Sequence, residues 1–172
     1  DGDEIVFPVD VRSDALNHIA VSCNEDAGEW YLYLNGEKVS TVSGTAISEN
    51  TIEKLYIGAS ADKYNNNYFK GAIADLAVYS EMLTDSEVSD LINGVNTTSD
   101  SLLAYWNLNG DDKTDGSVNG KTLTSETVLA VTEQPESGIT FSSRADRLES
   151  YEVYDSAVNT FETWLKTNSN YS

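Results

Sequence analysis

One cysteine, one histidine, one methionine and two prolines occur in the 172 residues of this chain, and each scarcity removes a class of chemistry. A single Cys23 closes no internal disulfide, and its place in an alternating stretch predicts a buried, inert thiol. With His18 as the only histidine, neither a zinc cluster nor a triad or dyad finds its usual partners. Positive charge is scarce too: 10 Lys and Arg stand against 29 Asp and Glu, for a formal charge of −19 and a pI near 4.1. Such a surface repels phosphate backbones and anionic headgroups, so nucleic acid is excluded as a partner. No apolar run approaches the ~20 residues that cross a bilayer, which argues against membrane insertion. A start at Asp1, without a basic-apolar-small leader pattern, reads as a processed form or an excised fragment.

Aromatic residues are present in quantity, with ten tyrosines and three tryptophans. Trp30, Leu32 and Leu34 alternate with Tyr31 and Tyr33, so one face is expected to be buried while the other presents phenol rings. Asn35-Gly36 follows at once, the strongest short signal for a type I′ hairpin turn, and Lys38 to Val42 runs back as the partner strand. Leu16 to Ser22 and Ile73 to Tyr79 add further strands, the second preceded by Gly71, where a missing side chain suits a bulge. Ile5-Val6-Phe7-Pro8-Val9 reads as an edge strand or a strand end because of its proline. Several strands separated by polar turns predict an antiparallel sandwich.

Two helices are expected. Thr84 and Glu87 form a capping box, Val88, Leu91 and Ile92 make an apolar face, and Gly94 is the stop. Over 143–168, Leu148, Tyr151, Tyr154, Ala157, Val158, Phe161, Trp164 and Leu165 recur at three- and four-residue intervals, with Ser143 and Asp146 as caps. This predicts a C-terminal amphipathic helix that packs on the sandwich or docks on a neighbouring domain. Its outward Glu149, Glu152, Asp155 and Glu162 are acidic, which argues against a membrane-surface helix.

The runs Leu16-Asn17-His18-Ile19-Ala20-Val21-Ser22, Trp30 to Val39, Leu55-Tyr56-Ile57-Gly58 and Phe69 to Tyr79, with Met82-Leu83-Thr84-Asp85-Ser86-Glu87 after them, resemble the back half of a laminin-G-like, concanavalin-A-like lectin/glucanase jelly roll. Ser101-Leu102-Leu103-Ala104-Tyr105-Trp106-Asn107-Leu108 and Asp115 to Leu123 resemble the opening of the same fold. Three readings of this second stretch stand open: a C-terminal extension like that of some Bacteroidetes surface proteins, strands completing a permuted sandwich, or a truncated second copy. The resemblance implies an all-β antiparallel sandwich with a short helix after its last strand. The expected segments are a laminin-G-like sandwich at 1–95, either whole or with its front half outside the chain, a small β extension or completing strands at 101–142, and the C-terminal helix at 143–168. It also implies that His18 is a structural strand residue, although Leu16 stands where the family commonly has tryptophan.

Catalytic signatures are missing. Glucan-cleaving sandwiches need acid and nucleophile ~5 Å apart on one strand face, as Glu-x-Asp-x-x-Glu, and the stretch Ala72 to Val78 holds only Asp75. There is no Gly-x-Ser-x-Gly elbow, Walker loop or dinucleotide fingerprint. The expectation is therefore a chain that is not an enzyme. Calcium is the cofactor to weigh, since carbonyls and one or two aspartates suffice in sandwich loops. Asp111 to Asp115 imitates an EF-hand loop, but Lys113 sits at a ligand position and Thr122 where the bidentate glutamate belongs. A looser site would use Asp75, Asp111 or Asp115; the same aspartates also suit turns. For ligand binding, Tyr64, Asn65, Asn66, Asn67 and Tyr68 combine amide donors and acceptors with flat rings suited to sugars, or form a polar loop whose tyrosines pack on the sheet. The function expected is a non-catalytic carbohydrate-binding or adhesive module of a secreted or surface-attached multidomain protein, extracellular and bacterial, with a glycan or cell-surface ligand and neighbouring domains as partners. The alternative is a structural spacer attached to a hydrolase, or a partial glycoside hydrolase.

Overall fold

The computed structural model describes residues 5–12, 15–44, 55–58, 69–108, 113–125, 130–132, 138–141, 148–150 and 160–167. Strands β1 (Asn17–Asn24), β2 (Glu29–Leu34) and β3 (Glu37–Ser43) form a meander. The tight β2–β3 turn follows from its sequence: Asn35 and Gly36 both have positive φ, 51° and 79°, the backbone that a type I′ turn demands. Next come β4 (Leu55–Ile57), β5 (Gly71–Tyr79) and helix α1 (Asp85–Leu91). The predicted capping box is formed, with the Thr84 hydroxyl accepting from the Glu87 amide and the Glu87 carboxylate from the Thr84 amide.

After α1 the chain continues as β6 (Leu102–Trp106), β7 (Thr124–Ser125), β8 (Ala130–Thr132), β9 (Gly138–Phe141), β10 (Leu148–Ser150) and β11 (Thr160–Thr167). The main antiparallel sheet runs β3-β2-β1-β11-β5-β9-β8, with β6 also on β5, and a small sheet runs β4-β10-β7. Strands from 102–106 and 160–167 thus hydrogen-bond to β5 and β1, so residues on both sides of the 96–100 turn build one sheet. One edge of β5 is shared, Gly71 to Ile73 facing β9 and Leu76 to Tyr79 facing β6. Asp75, at φ 46°, stands where the two meet.

Two apolar cores lie on opposite sides of the main sheet. One gathers Ile73, Leu76, Val78, Ala104 and Trp106 with Ile57 and Leu148 of the small sheet, which makes the structure a sandwich. The other places Val88 and Leu91 of α1 against Tyr33, Tyr79, Leu83 and Leu102. Coverage of both faces corrects one expectation for β2: Tyr33, expected to present its ring, is 1% exposed under α1.

The C-terminal helix expected over 143–168 is also corrected. Its described parts are strands, Leu148–Ser150 and Thr160–Thr167, while Ser143, Asp146, Tyr151, Tyr154, Ala157 and Val158 lie outside the described residues. The helical spacing misled because β11 is an interior strand with both faces covered. Phe161 and Leu165 pack on one core while Thr160 and Glu162 are buried on the opposite side, so no polar-apolar alternation marks it. Thr160, Phe161, Thr163, Trp164 and Thr167 are β-branched or aromatic, the composition of a strand.

Candidate functional site

The register of five strands aligns the α1-facing side of the main sheet into rows. Tyr33, Ala20, Glu162, Ala77 and Tyr105 stand side by side across β2, β1, β11, β5 and β6. The next row reads Tyr31, Ser22, Thr160, Tyr79 and Leu102. Small residues flank Glu162, so its side chain and the larger rings divide the space above the sheet.

Glu162 is the centre of this face. Its Oε2 lies 2.9 Å from Nε2 of His18, and the two side chains are 1% and 0% exposed. Burial pushes the Glu162 carboxyl above its ordinary range; the His18 contact pulls it back and the charge of Asp75 adds to the rise. The Tyr79 phenol is pushed up as well, by burial first and then by the charge of Glu162. Among the described residues, Glu162 Oε1 and the Tyr79 hydroxyl are buried with no hydrogen-bond partner. His18, expected as a structural residue, is fixed through its backbone too, its amide donating to Asn35 Oδ1 at 3.0 Å.

At the β6 end the face becomes accessible. The Tyr105 hydroxyl donates to Asp75 Oδ1 at 2.6 Å, and the exposed Asn107 amide donates to the same oxygen at 3.2 Å and to the phenol oxygen at 3.3 Å. Burial and the bond to Asp75 hold the Tyr105 phenol up at about 12. The ring is braced from behind, since a Cβ on Gly116 would come within 3.0 Å of its Cδ1. At the opposite end Tyr33 donates to Asp85 Oδ1 at 2.8 Å, and Lys38 reaches the same oxygen at 2.8 Å while lying 4.1 Å from the Tyr31 ring centre. Burial, followed by the Asp85 bond, raises the Tyr33 phenol to about 12.

The candidate residues from the sequence are distributed unevenly over this geometry. Tyr64, Asn65, Asn66, Asn67, Tyr68 and Asp111 lie outside the described residues. Asp75 and Asp115 are drawn to opposite ends of one residue, Asp75 to the Tyr105 hydroxyl and Asp115 to the Tyr105 amide. Asp115 is 8% exposed and its oxygens take the amides of Tyr105, Ser117 and Lys121 and the Ser117 hydroxyl at 2.6–2.9 Å. Such a set of donors is what an aspartate organising a turn requires. Among the described residues no three His, Cys, Asp or Glu side chains gather as a metal group.

Sequence reasoning missed Glu162, placed on the outer face of a helix, and also Tyr105 and Asn107. The signal for Glu162 was an acid within the strand-like run Thr160-Phe161-Glu162-Thr163-Trp164.

A laminin-G family model, described as the concanavalin A-like lectin/glucanases superfamily, matches residues 1–89. No curated protein and no solved structure matches the chain.

Proposed function

The chain belongs to the concanavalin A-like lectin/glucanase superfamily, and from that premise we propose that it is a non-catalytic carbohydrate-binding or adhesive module of a secreted or surface-attached multidomain protein. The observation that carries this reading is the braced Tyr105–Asp75–Asn107 cluster. Asp75 Oδ1 collects both internal donors, while among the described residues Asp75 Oδ2 and Asn107 Oδ1 take no hydrogen bond. Two free acceptors beside a phenol ring match neighbouring hydroxyls of a neutral sugar. The buried acid of the face supports the non-catalytic part of the reading: at 1% exposure Glu162 is not placed to meet a glycosidic bond. Calcium, if it takes part, has Asp75 as its remaining described candidate, since Asp115 is committed to its turn.

A glycan array, with thermal melting in calcium and in chelator, tests the reading. Selective glycan signal reduced tenfold or more by Asn107→Ala, at unchanged melting temperature, is the expected result. Signal lost on Tyr64→Ala or Tyr68→Ala but not on Asn107→Ala moves the site to residues 64–68. No signal and no ligand-dependent melting shift across the array leaves the spacer role.

A further inference from the structure

Strand β11 occupies the middle of the main sheet, paired on one edge with β1 and on the other with β5. Its central acid, Glu162, has entered that position at 1% exposure with, among the described residues, one of its two oxygens partnered, Oε2 by His18 Nε2 at 2.9 Å. The titratable and charged groups around it, among the described residues, are His18 from β1, Tyr79 and Asp75 from β5, Tyr105 from β6, and Tyr33 from β2. Tyr33 in turn holds Asp85 of α1, which occupies Lys38 of β3. Apart from His18, the charge felt at Glu162 is the negative one of Asp75.

An ionised carboxylate here would leave a bare charged oxygen at Oε1 in a site closed to water, within a chain of formal charge −19. A neutral carboxyl removes the charge from the same atoms: O–H at Oε2 donates to the lone pair of His18 Nε2, and Oε1 is left as an uncharged carbonyl oxygen. We propose that Glu162 is a proton-linked clamp on β11: seating the strand between β1 and β5 takes up a proton on this carboxyl, and the strand is held more firmly in mildly acidic than in alkaline solution.

The direction of the effect is set by linkage. A carboxyl raised in the folded state contributes stability that is fully present below its ordinary value of 4.5 and is lost as pH rises through the raised one. Between those limits the folded-to-unfolded ratio falls by up to about tenfold per pH unit. The test is urea unfolding of the full chain at a series of pH values from mildly acidic to mildly alkaline, for wild type and Glu162→Gln. The wild-type ratio is expected to fall with pH relative to the glutamine variant; parallel profiles overturn the clamp. A second measurement needs no variant to fold: the side-chain carboxyl carbon of Glu162, followed by NMR in wild type labelled at glutamate. A midpoint above that of an ordinary glutamic acid supports the proposal, and a midpoint at or below it overturns it.

Discussion

Replacing Thr160 by valine removes one oxygen and should cost about 2–4 kcal/mol. Thr160 is 0% exposed, and its hydroxyl uses its full capacity: it donates to the Glu81 carbonyl at 2.9 Å, accepts from the Leu83 amide at 3.2 Å, and meets Ser22 Oγ at 2.8 Å. One atom therefore fastens β11 both to β1 and to the segment entering α1. Valine keeps the shape but strands the amide of Leu83, a residue 7% exposed, at a cost of about 1–3 kcal/mol. The buried Ser22 hydroxyl loses its acceptor for about 1 kcal/mol more, while Glu81 is exposed and its carbonyl turns to water. Urea unfolding at constant pH measures the loss, and an unchanged m-value assigns it to the folded state. The Ser22→Ala partner makes the test sharper. Alone it should cost about 1 kcal/mol, but in the valine background it removes a stranded group and should be close to neutral. A Thr160→Val cost below about 0.5 kcal/mol, or strictly additive costs in the double variant, refutes the bridging role given to this hydroxyl.

Trp106 is 0% exposed between the sheets and its indole N–H donates to the Lys121 carbonyl, so Trp106→Ala should lose about 3–5 kcal/mol in the same urea assay; a loss under about 2 kcal/mol would show a core able to collapse around the gap. Thr84→Ala removes the oxygen that caps α1 and should cost about 1 kcal/mol, with Thr84→Ser recovering most of it. Cys23 is 1% exposed, so an aromatic disulfide reagent should label it only as fast as the chain opens; rapid labelling without denaturant would contradict its placement in β1.

Legibility in the sequence followed the range of the interactions. The β2–β3 hairpin and the start of α1 were readable because their causes sit within a few residues: Asn35-Gly36 supplies two positive-φ positions in succession, and Thr84 with Glu87 satisfies the helix start locally. The family match over residues 1–89 spans both of these features. Beyond it, local pattern and tertiary structure part company. Phe161, Trp164 and Leu165 keep helical intervals, yet the chain there enters a sheet whose neighbours, β1 and β5, were made more than eighty residues earlier. A strand covered on both faces has no alternation to show, and its threonines were the better guide.

The candidate site was hidden for a related reason. Glu162 reads as a surface acid until His18, 144 residues away, is placed beside it, and Asp75 reads as a turn or metal residue until Tyr105 and Asn107 arrive from β6 and its end. Each of these acids has its setting fixed by distant partners, so composition and spacing describe only the residue type and not its use. The same dependence explains how one row of residues serves two purposes. Its buried middle, Ala20, Glu162 and Ala77, holds β11 in register, and at its accessible end, beside Tyr105, Asp75 Oδ2 and Asn107 Oδ1 take no hydrogen bond among the described residues. Because β5 runs beneath both, the strand that locks β11 on one edge also fixes Asp75 under Tyr105 on the other. Loosening the clamp at Glu162 should therefore disturb the Asp75–Tyr105 contact, whereas Asn107→Ala at the rim should leave the clamp untouched.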